Sequence, residues 1–441
     1  MSDTPSPQVS TQPTSNGLAA RRAALAIIDG AIGKRGGLDE SLGGALTGLD
    51  PRDRAFARNL AMTTLRRWGA IELMLTARLQ KGPSEPVMAL MRIGVAQALY
   101  MDVPDHAAVS TTLDLAQSAQ PTRPFKGLIN AVLRGLLRER PNDRPENLAP
   151  DWLVARWRAA FGEAAARAIC AQIAEEPATD LSLRDPSQAS DLAEALEAHL
   201  LDGGSLRTER RGDVAAWPAY DEGSWWVQDA AAAIPVRLLA LQPGEDALDL
   251  CAAPGGKTLQ MAAAGAKVVA LDRSAARLAR VDENLARTGL TAEVVASPAE
   301  SWADARAFDA VLLDAPCSAT GTFRRQPEVL WLVKPPEIAK LAMVQARLLD
   351  AAAKRVKPGG RLVYCVCSLE PEEGEAQATA FLKRQPDFNL VPVTSGEGGA
   401  PSASLLSDGT LRILPHHLDG GLDGFFVARF ERGLHPSAAT G

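Results

Sequence analysis

Residues 248–258 read LDLCAAPGGKT, an apolar strand that runs into a turn with two adjacent glycines. Such glycines permit close backbone approach to a ligand, and the helix that follows points its N-terminus at the same place. From about residue 231 onward, short apolar segments alternate with helical patterns. We expect strands at 246–250, 266–271, 292–296, 308–314 and 360–366. The alternation predicts an α/β fold, a parallel sheet with helices on both faces.

Two common glycine motifs do not fit this turn. A P-loop needs a glycine five places before its second one, and Cys251 stands at that position. The dinucleotide pattern G-x-G-x-x-G is absent as well. Asp272 ends the second strand, where an acid can accept hydrogen bonds from ribose hydroxyls or cap the next helix. The combination favours a cofactor with adenosine but no pyrophosphate, and S-adenosylmethionine fits.

Composition limits the class of protein. The 441 residues suffice for two or three domains, because single cores rarely grow past about 250 residues. There is no run of eighteen apolar residues, so we expect no membrane span. Residues 1–17 do not resemble a signal peptide, and we expect them and residues 434–441 to be disordered. Five scattered cysteines and five histidines without zinc-site spacing predict free thiols, no metal and a cytoplasmic location.

Charge is distributed unevenly along the chain. Residues 17–140 contain 17 Lys and Arg against 11 Asp and Glu, a local charge of +6. The net charge is −6, so the remainder carries −12. This asymmetry favours a module that faces a polyanion, attached to an acidic one, although a solvated face would give the same excess.

Residues 18–142 read as consecutive helices, with apolar positions at three-to-four spacing and arginines on the other face. Three pieces resemble the NusB-like RNA-binding helical domain in their order and spacing. They are DRAFARNLAMTTLRRW (53–68), LMRIGVAQALYMDVPDHAAVSTTLDLA (90–116) and GLINAVLRGLLRER (127–140). The resemblance implies a role in RNA contact or protein docking rather than catalysis.

Residues 143–230 have a different pattern. A helix follows a proline-rich linker, and the segments 178–185, 205–212 and 223–233 alternate like short strands around the helical segment 190–201. We expect a small α+β subdomain that links the two larger domains and has no chemistry of its own.

Thiols and a carboxylate come together at two neighbouring strand ends. The fourth strand ends in Asp314, with Cys317 just beyond, and the fifth brings Cys365 and Cys367. Neighbouring strands lie about 4.8 Å apart, so both tips can reach one ligand. Cys365 and Cys367 share one face of the strand, but only Cys367 lies at the tip. A functional role is therefore favoured over inert packing.

Three segments resemble the NOL1/NOP2/Sun (Fmu) family of RNA cytosine-C5 methyltransferases. They are DLCAAPGGKT (249–258), LLDAPCSATGTFRR (312–325) and YCVCSLEPEEGE (364–375), and the resemblance spans roughly residues 150–430. It implies a class I (Rossmann-like) methyltransferase sheet over 231–433, ending in a late strand pair at 388–393 and 425–430. It also implies S-adenosylmethionine as methyl donor. With the NusB-like front, the chain is similar to members that modify bacterial small-subunit (16S) ribosomal RNA.

The resemblance also implies residue roles. Cytosine C5 becomes nucleophilic when a thiolate adds to C6, an acid near N3 stabilises the charge that develops, and a base later removes the C5 proton. In this family the attacking cysteine precedes Ser in the fifth-strand motif, which is Cys367 here. Cys317 would assist product release, Asp314 would contact the cytosine and Lys257 would lie in the pocket. Cys365 would be a packing thiol.

The expected cofactor contacts are residues of the glycine turn and of the strand ends, and one of them differs from the family pattern. They are Cys251, Ala252, Ala253, Pro254, Gly255, Gly256, Lys257, Asp272, Ser297 and Asp314. Ser297 stands where the family usually offers an Asp to the adenine. Asp185 departs from the family's LRVN segment, which puts an RNA contact there in doubt. Arg324 and Arg325 would either grip phosphate or be solvated loop residues.

Other functions compete with RNA cytosine-C5 methylation of the small subunit. A transfer RNA target is the nearest alternative. A DNA cytosine methyltransferase would use Cys317, which follows a proline, but would leave the motif around Cys367 without a purpose. A non-catalytic RNA-binding ribosome-assembly factor would not need both cysteines and the glycine turn. We expect a monomer.

Overall fold

The computed structural model describes residues 17–33 and 37–434. The disordered segments expected at 1–17 and 434–441 lie outside these ranges, except for Gly17 and Leu434. None of the helices within these ranges is long and apolar enough to cross a membrane. The chain divides into two compact units, Met1–Ala149 and Pro150–Gly441. The domain boundaries expected at 142/143 and 230/231 stay predictions.

The first unit is helical in its described part. Its helices there are α1 (Leu18–Gly33), α2 (Gly37–Ala45), α3 (Pro51–Arg66), α4 (Trp68–Thr76), α5 (Glu85–Tyr100), α6 (Asp105–Ser118) and α7 (Lys126–Glu139). The sequence explains the start of α3, where the Asp50 carboxylate accepts a hydrogen bond from the Asp53 N–H and Pro51 takes the first helical position.

Helix α5 lies at the centre of this unit. Eleven of its sixteen residues are buried, and it contacts α1, α3, α4, α6 and α7. A Cβ atom at Gly94 would lie 3.0 Å from Leu133 and 3.1 Å from Thr112, so the glycine allows α6 and α7 to pack closely. The predicted helical domain is confirmed.

The second unit begins with two helices and a small antiparallel sheet. These are α8 (Asp151–Phe161), α9 (Glu163–Ala171), β1 (Thr179–Leu183), α10 (Ala189–Ala195), β2 (Ala198–Leu200), β3 (Leu206–Thr208) and β4 (Trp225–Val227), in sheet order β2-β3-β1-β4. Leu181, Leu206 and Trp225 belong to the buried apolar cluster of this sheet. Arg207 and Asp180 form a buried ion pair at 2.6 Å. The arrangement is α+β.

A larger mixed sheet follows, in the order β10-β12-β9-β8-β5-β6-β7, with β11 paired to β12. Its strands are β5 (Asp246–Leu250), β6 (Lys267–Asp272), β7 (Glu293–Ala296), β8 (Phe308–Asp314), β9 (Val356–Val366), β10 (Phe388–Leu390), β11 (Leu411–Ile413) and β12 (Phe425–Arg432). The helices are α11 (Ala230–Leu238), α12 (Gly256–Ala263), α13 (Ala275–Thr288), α14 (Val329–Leu332), α15 (Pro335–Ala353) and α16 (Glu375–Arg384). The predicted parallel sheet of five strands is confirmed, and β12 is antiparallel to β9.

The late strands differ from the sequence prediction in detail. The expected strand at 388–393 ends at Leu390, because the chain then leaves β12. Strand β11 was not predicted, since it lies within a Gly- and Ser-rich connection; it pairs with β12 from Leu411 to Ile413. The strand expected from 360 begins four residues earlier, at Val356, which pairs with Phe308 across a register shift.

The strand order determines where a ligand can bind. The chain leaves β5 toward β6 on one side, and β8 returns to the other side of β5. In such parallel sheets the ligand lies beyond the carboxyl ends of the strands at this switch point. The turn after β5 and the loop after β8 therefore meet at one crevice.

Candidate active site

The turn after β5 is held against the end of β6. The backbone N–H groups of Cys251 and Ala252 donate to the carbonyl of Leu271, at 2.9 and 3.1 Å. Gly255 has φ +106°, and a Cβ atom there would lie 3.3 Å from Val281 of α13, so the position requires glycine. Helix α12 begins at Gly256, directly after this turn. Its first N–H groups are thus available to a ligand in the crevice.

Asp272 ties the end of β6 to the same turn. Its carboxylate accepts hydrogen bonds from the N–H of Ala253 at 3.3 Å and of Ser274 at 2.9 Å. Arg277 pairs with it at 3.4 Å, and Asp272 is only 2% exposed. The capping alternative is wrong, because the residue that caps α13 is Ser274, which accepts from the N–H of Arg277. Asp272 therefore ties the glycine turn to the end of β6.

Lys257, which is buried, and Asp314, which is partly buried, form an ion pair between the first turn of α12 and the end of β8. The Lys257 Nζ atom lies 2.8 Å from Asp314 Oδ2, and 5.3 Å from the ring centroid of Phe425. Burial lowers the pKa of Lys257, but the Asp314 carboxylate, together with the Cys365 and Cys367 side chains, raises it and the net shift is upward. The lysine is therefore a fixed cation at the crevice.

The two cysteines at the strand tips are in contact. Cys317 Sγ lies 3.4 Å from Cys367 Sγ, although the residues belong to loops after different strands. The hydrogen bond with Cys367 and burial together raise the pKa of the Cys317 thiol well above its ordinary value. Cys317 therefore retains its proton, and either thiol can be the donor in the contact between the two sulfur atoms.

The backbone fixes Cys367 in this position. It follows Val366, the last residue of β9, and its carbonyl accepts a hydrogen bond from the Gly321 N–H at 3.0 Å. A Cβ atom at Gly321 would lie 2.0 Å from the carbonyl oxygen of Gly424, so no side chain fits at this position. The loop after β8 therefore supports both cysteines.

Cys365 has a polar contact that the sequence did not predict. It is fully buried in the apolar layer beneath the sheet, as a packing thiol would be. Its Sγ also lies 3.5 Å from Asp314 Oδ1, the oxygen that Lys257 does not contact. Burial, followed by the Asp314 carboxylate, raises the pKa of this thiol well above its ordinary value, so it stays protonated. Asp314 is thus held from both sides.

Two carboxylates of the acidic turn after Cys367 were given no role by sequence reasoning. Glu370 and Glu373 are both fully buried. Glu370 accepts from Arg156 at 2.6 Å and from the indole N–H of Trp157 at 3.3 Å. Glu373 contacts both cysteine loops. The only signal in the sequence was the closeness of this acidic run to Cys367, since acidic turns are usually solvated.

The remaining predicted residues have different surroundings. Ser297 follows β7 and donates its N–H to the Asp272 carbonyl at 3.0 Å, so it lies beside the end of β6. Asp185 is exposed and accepts from the Ser187 N–H at 2.9 Å. Both alternatives for Arg324 are wrong, because it is 2% exposed and donates to the carbonyl of Gly420. Arg325 pairs with buried Asp423.

The structure therefore brings the predicted residues to one crevice, with the glycine turn and Asp272 on one side and Asp314, Cys317 and Cys367 on the other. Within residues 17–33 and 37–434, no three His, Cys, Asp or Glu side chains cluster closely enough to hold a metal ion.

Comparison with known families gives two matches. Residues 236–431 match the family described as 16S rRNA methyltransferase RsmB/F, and residues 18–138 match the NusB family. Among curated proteins, the chain is 39% identical over 402 residues to ribosomal RNA small subunit methyltransferase B of Salmonella arizonae, with 86% of this chain and 90% of that protein covered. The protein of the same name from Pseudomonas syringae pv. tomato is 36% identical over 438 residues, covering 93% and 96%.

Solved structures with the same fold are also found. The crystal structure of PH0851 superposes with a TM-score of 0.77 at 25% identity, covering 94% of this chain and 99% of that one. NSun6 from Pyrococcus horikoshii superposes with a TM-score of 0.56 at 18% identity, covering 65% and 98%. The latter similarity concerns the fold alone.

Proposed function

Because the chain belongs to the RsmB/F family of 16S rRNA methyltransferases, we propose that it methylates C5 of a cytosine in small-subunit ribosomal RNA with S-adenosylmethionine, through a covalent adduct on Cys367. The observation that carries this proposal is the contact between Cys317 and Cys367, whose Sγ atoms lie 3.4 Å apart. One thiol alone would suffice for packing or for nucleophilic attack. A second thiol in contact with the first supports a reaction that also needs help with release.

The turn after β5 fits S-adenosylmethionine. Its backbone approaches α13 so closely at Gly255 that only glycine fits, and it leads into a helix N-terminus. Asp272 offers a carboxylate for ribose hydroxyls beside it. The residues proposed to hold the cofactor are Cys251, Ala252, Ala253, Pro254, Gly255, Gly256, Lys257, Asp272, Ser297 and Asp314. When bound, the cofactor supplies an electrophilic methyl group.

Cys367 is the proposed nucleophile. After its thiol has lost the proton, the thiolate sulfur would form a bond to C6 of the cytosine, and the electron pair of the C5–C6 double bond would move onto C5. The neighbouring Cys317 keeps its proton, because its pKa is raised by the hydrogen bond with Cys367 and by burial. A donated S–H stabilises the thiolate that attacks. The position of Cys367 directly after the last residue of β9 and directly before Ser368 supports it, rather than Cys317, as the attacking residue.

Asp314 and Lys257 are proposed to face the pyrimidine ring. Negative charge spreads to N3 when sulfur adds to C6, and a proton or cation close to N3 lowers the energy of this state. Lys257 is a cation 2.8 Å from Asp314, so the pair can share a proton at this edge. After methyl transfer, a base removes the C5 proton, the electrons re-form the double bond and the S–C6 bond breaks. Cys317 assists this last step.

Residues outside the crevice support an RNA target. The NusB-family match covers residues 18–138. This segment contains more basic than acidic residues, which favours binding to a polyanion such as RNA. The two relatives cited above are named for the small ribosomal subunit. We propose that residues 18–142 contact RNA, that 143–230 link the domains and that 231–433 carry out the reaction.

Labelled S-adenosylmethionine and unmodified 16S ribosomal RNA test the proposal. Wild type, Cys367→Ala, Cys317→Ala and, as a matched control, Cys170→Ala of helix α9 are incubated with both and run on a denaturing gel. We expect only Cys317→Ala to accumulate a labelled covalent RNA adduct, and Cys367→Ala to transfer nothing. Label on transfer RNA but not on 16S RNA would overturn the target. Cofactor binding without label on any RNA would favour the assembly factor.

A further inference from the structure

Glu373 is a fully buried carboxylate, and the hydrogen bonds that its side chain accepts from the described residues all come from uncharged donors. It lies in the turn after β9, six residues beyond Cys367. A buried carboxylate without a cation is costly unless hydrogen-bond donors surround it. Its donors therefore show what the residue does.

The donors come from the two loops that carry the cysteines. The Ser318 N–H donates to Glu373 Oε1 at 2.9 Å, and the hydroxyls of Ser318 and Ser368 both donate to Oε2. Ser318 directly follows Cys317, and Ser368 directly follows Cys367. One carboxylate thus joins the residues next to both sulfur atoms.

The carboxylate itself is held in place by other elements. Gln345 of helix α15 donates its side-chain N–H to Glu373 Oε1 at 3.1 Å and to the carbonyl of Pro316 at 3.0 Å. The Tyr364 hydroxyl donates to the Glu373 backbone carbonyl. Glu373 is therefore a fixed point between β9, α15 and the loop after β8, rather than a side chain that adjusts to its neighbours.

We propose that Glu373 is the positioning residue that sets the distance and orientation of the Cys317 and Cys367 thiols. The catalytic consequence rests on the function proposed above, in which both sulfur atoms act on one cytosine. Reacting groups must lie within a few tenths of an ångström of their productive geometry, and nothing covalent joins the two loops. The bonds from Ser318 and Ser368 to one carboxylate add to the backbone bond from Gly321 to Cys367 and to the 3.0 Å contact between the two serine hydroxyls, and they fix the residues next to both sulfur atoms to one point.

Neighbouring acids provide matched controls. Glu372 precedes Glu373, but its side chain is 49% exposed and pairs with Arg156 at 2.6 Å. Glu370 is buried, yet its charged partner is also Arg156. Neither of these two carboxylates accepts hydrogen bonds from both Ser318 and Ser368. A change at Glu372 therefore removes one acid from the same turn without releasing the cysteine loops.

The geometry can be measured without RNA or cofactor. Phenylarsine oxide binds two thiols at once only when they lie close together, so its affinity reports the relative position of Cys317 and Cys367. We expect Glu373→Gln to weaken arsenical binding about tenfold, because the NH2 group of the amide must then face either the N–H donors of Ser318 and Gln345 or the two serine hydroxyls. Ser318→Ala, which leaves Glu373 in place, should weaken it about threefold. Glu372→Gln should bind like wild type, and Cys317→Ser should not bind at all.

A second readout concerns the reaction. In the Cys317→Ala background, Glu373→Gln should slow formation of the covalent RNA adduct about tenfold while the KM for RNA stays unchanged. Arsenical affinity within twofold of wild type in both Glu373→Gln and Ser318→Ala would overturn the proposal. If the affinity falls as expected but wild type methylates no RNA, the positioning role stands and the proposed function fails.

Discussion

The ammonium group of Lys257 lies 2.8 Å from a carboxylate oxygen of Asp314 and joins the first turn of α12 to the end of β8. Strands β5 and β8 are parallel neighbours, so the turn after one strand necessarily faces the end of the other. The Lys257 side chain is 10% exposed and that of Asp314 is 30% exposed. The pair therefore connects the proposed cofactor turn with the proposed pyrimidine site.

Removing the cation should impair the reaction more than cofactor binding. Lys257→Met keeps an unbranched apolar stem but lacks the terminal ammonium group and leaves Asp314 without its partner, and we expect single-turnover methyl transfer to fall by about 10² to 10³. The affinity for S-adenosylmethionine, measured by calorimetry, should fall far less. Lys257→Arg serves as the control that keeps the charge. Transfer within threefold of wild type in Lys257→Met would refute the role of the pair.

The contact of Cys365 with Asp314 leads to a second prediction. Cys365→Val fills a similar volume but removes the S–H that lies 3.5 Å from Asp314 Oδ1, and we expect methyl transfer to slow roughly threefold to tenfold. Cys365→Ser keeps a donor and should stay closer to wild type. The single-turnover rate of each variant provides the measurement. Equal rates for Cys365→Val and wild type would mean that Cys365 only packs and has no role in the reaction.

Much of the sheet could be predicted because its strands are local patterns. The bounds of β5 and β8 agree with the prediction to the residue, since each is an apolar run of strand length between polar or turn residues. Strand β9 was shortened in the prediction because Pro358, Gly359 and Gly360 are typical of loops. Strand β11 has only three residues, and its pairing with β12 is not visible in its own sequence.

The site residues that follow the ends of neighbouring strands could be predicted from the sequence. The site residues whose role depends on being buried could not. Cys317 and Cys367 follow neighbouring strands, so their proximity follows from topology. The role of Glu373 could not be found in this way, because its partner Ser318 is 55 residues away and acidic turns are usually exposed. The burial of Arg324 could not be predicted for a similar reason, since its acceptor, the Gly420 carbonyl, is 96 residues away in the sequence.

The pH dependence of stability tests the burial of Asp249 in β5. Burial raises the pKa of this carboxyl from 3.8 to about 7, and its Oδ2 accepts from Thr258 at 2.6 Å. Between these two pH values the unfolded chain loses the proton while the folded chain keeps it. Stability is therefore lost as pH rises from about 4 to 7, by at most about 4 kcal/mol.

Asp249→Asn removes this titration and should change the pH profile. We expect the melting temperature of the variant, relative to wild type, to rise as pH increases from 4 to 7 and to level off above 7. Scanning calorimetry of the full chain at five pH values measures the difference. Asp246→Asn, at the half-exposed start of the same strand, is the control. A difference that does not change with pH would contradict the expected titration.

A substitution at Ser297 should raise the affinity for S-adenosylmethionine. It lies beside Asp272 at the end of β7, where a carboxylate could accept a hydrogen bond from the amino group of adenine. We expect Ser297→Asp to bind S-adenosylmethionine about threefold to tenfold more tightly, because hydrogen bonds to charged groups exceed those to neutral ones. Repulsion by Asp272 is limited, since Arg277 pairs with that carboxylate at 3.4 Å.

Titration calorimetry of Ser297→Asp against Ser297→Asn separates charge from shape. Asn has the same size and can accept the same hydrogen bond, but it carries no charge. A gain in Asp alone, which decreases at high salt, would assign the effect to the carboxylate. Equal gains in affinity in both variants would mean that the longer side chain, rather than its charge, causes the effect. Affinity unchanged in both would mean that adenine does not bind beside the end of β7, so that Ser297 would have to be removed from the proposed cofactor contacts.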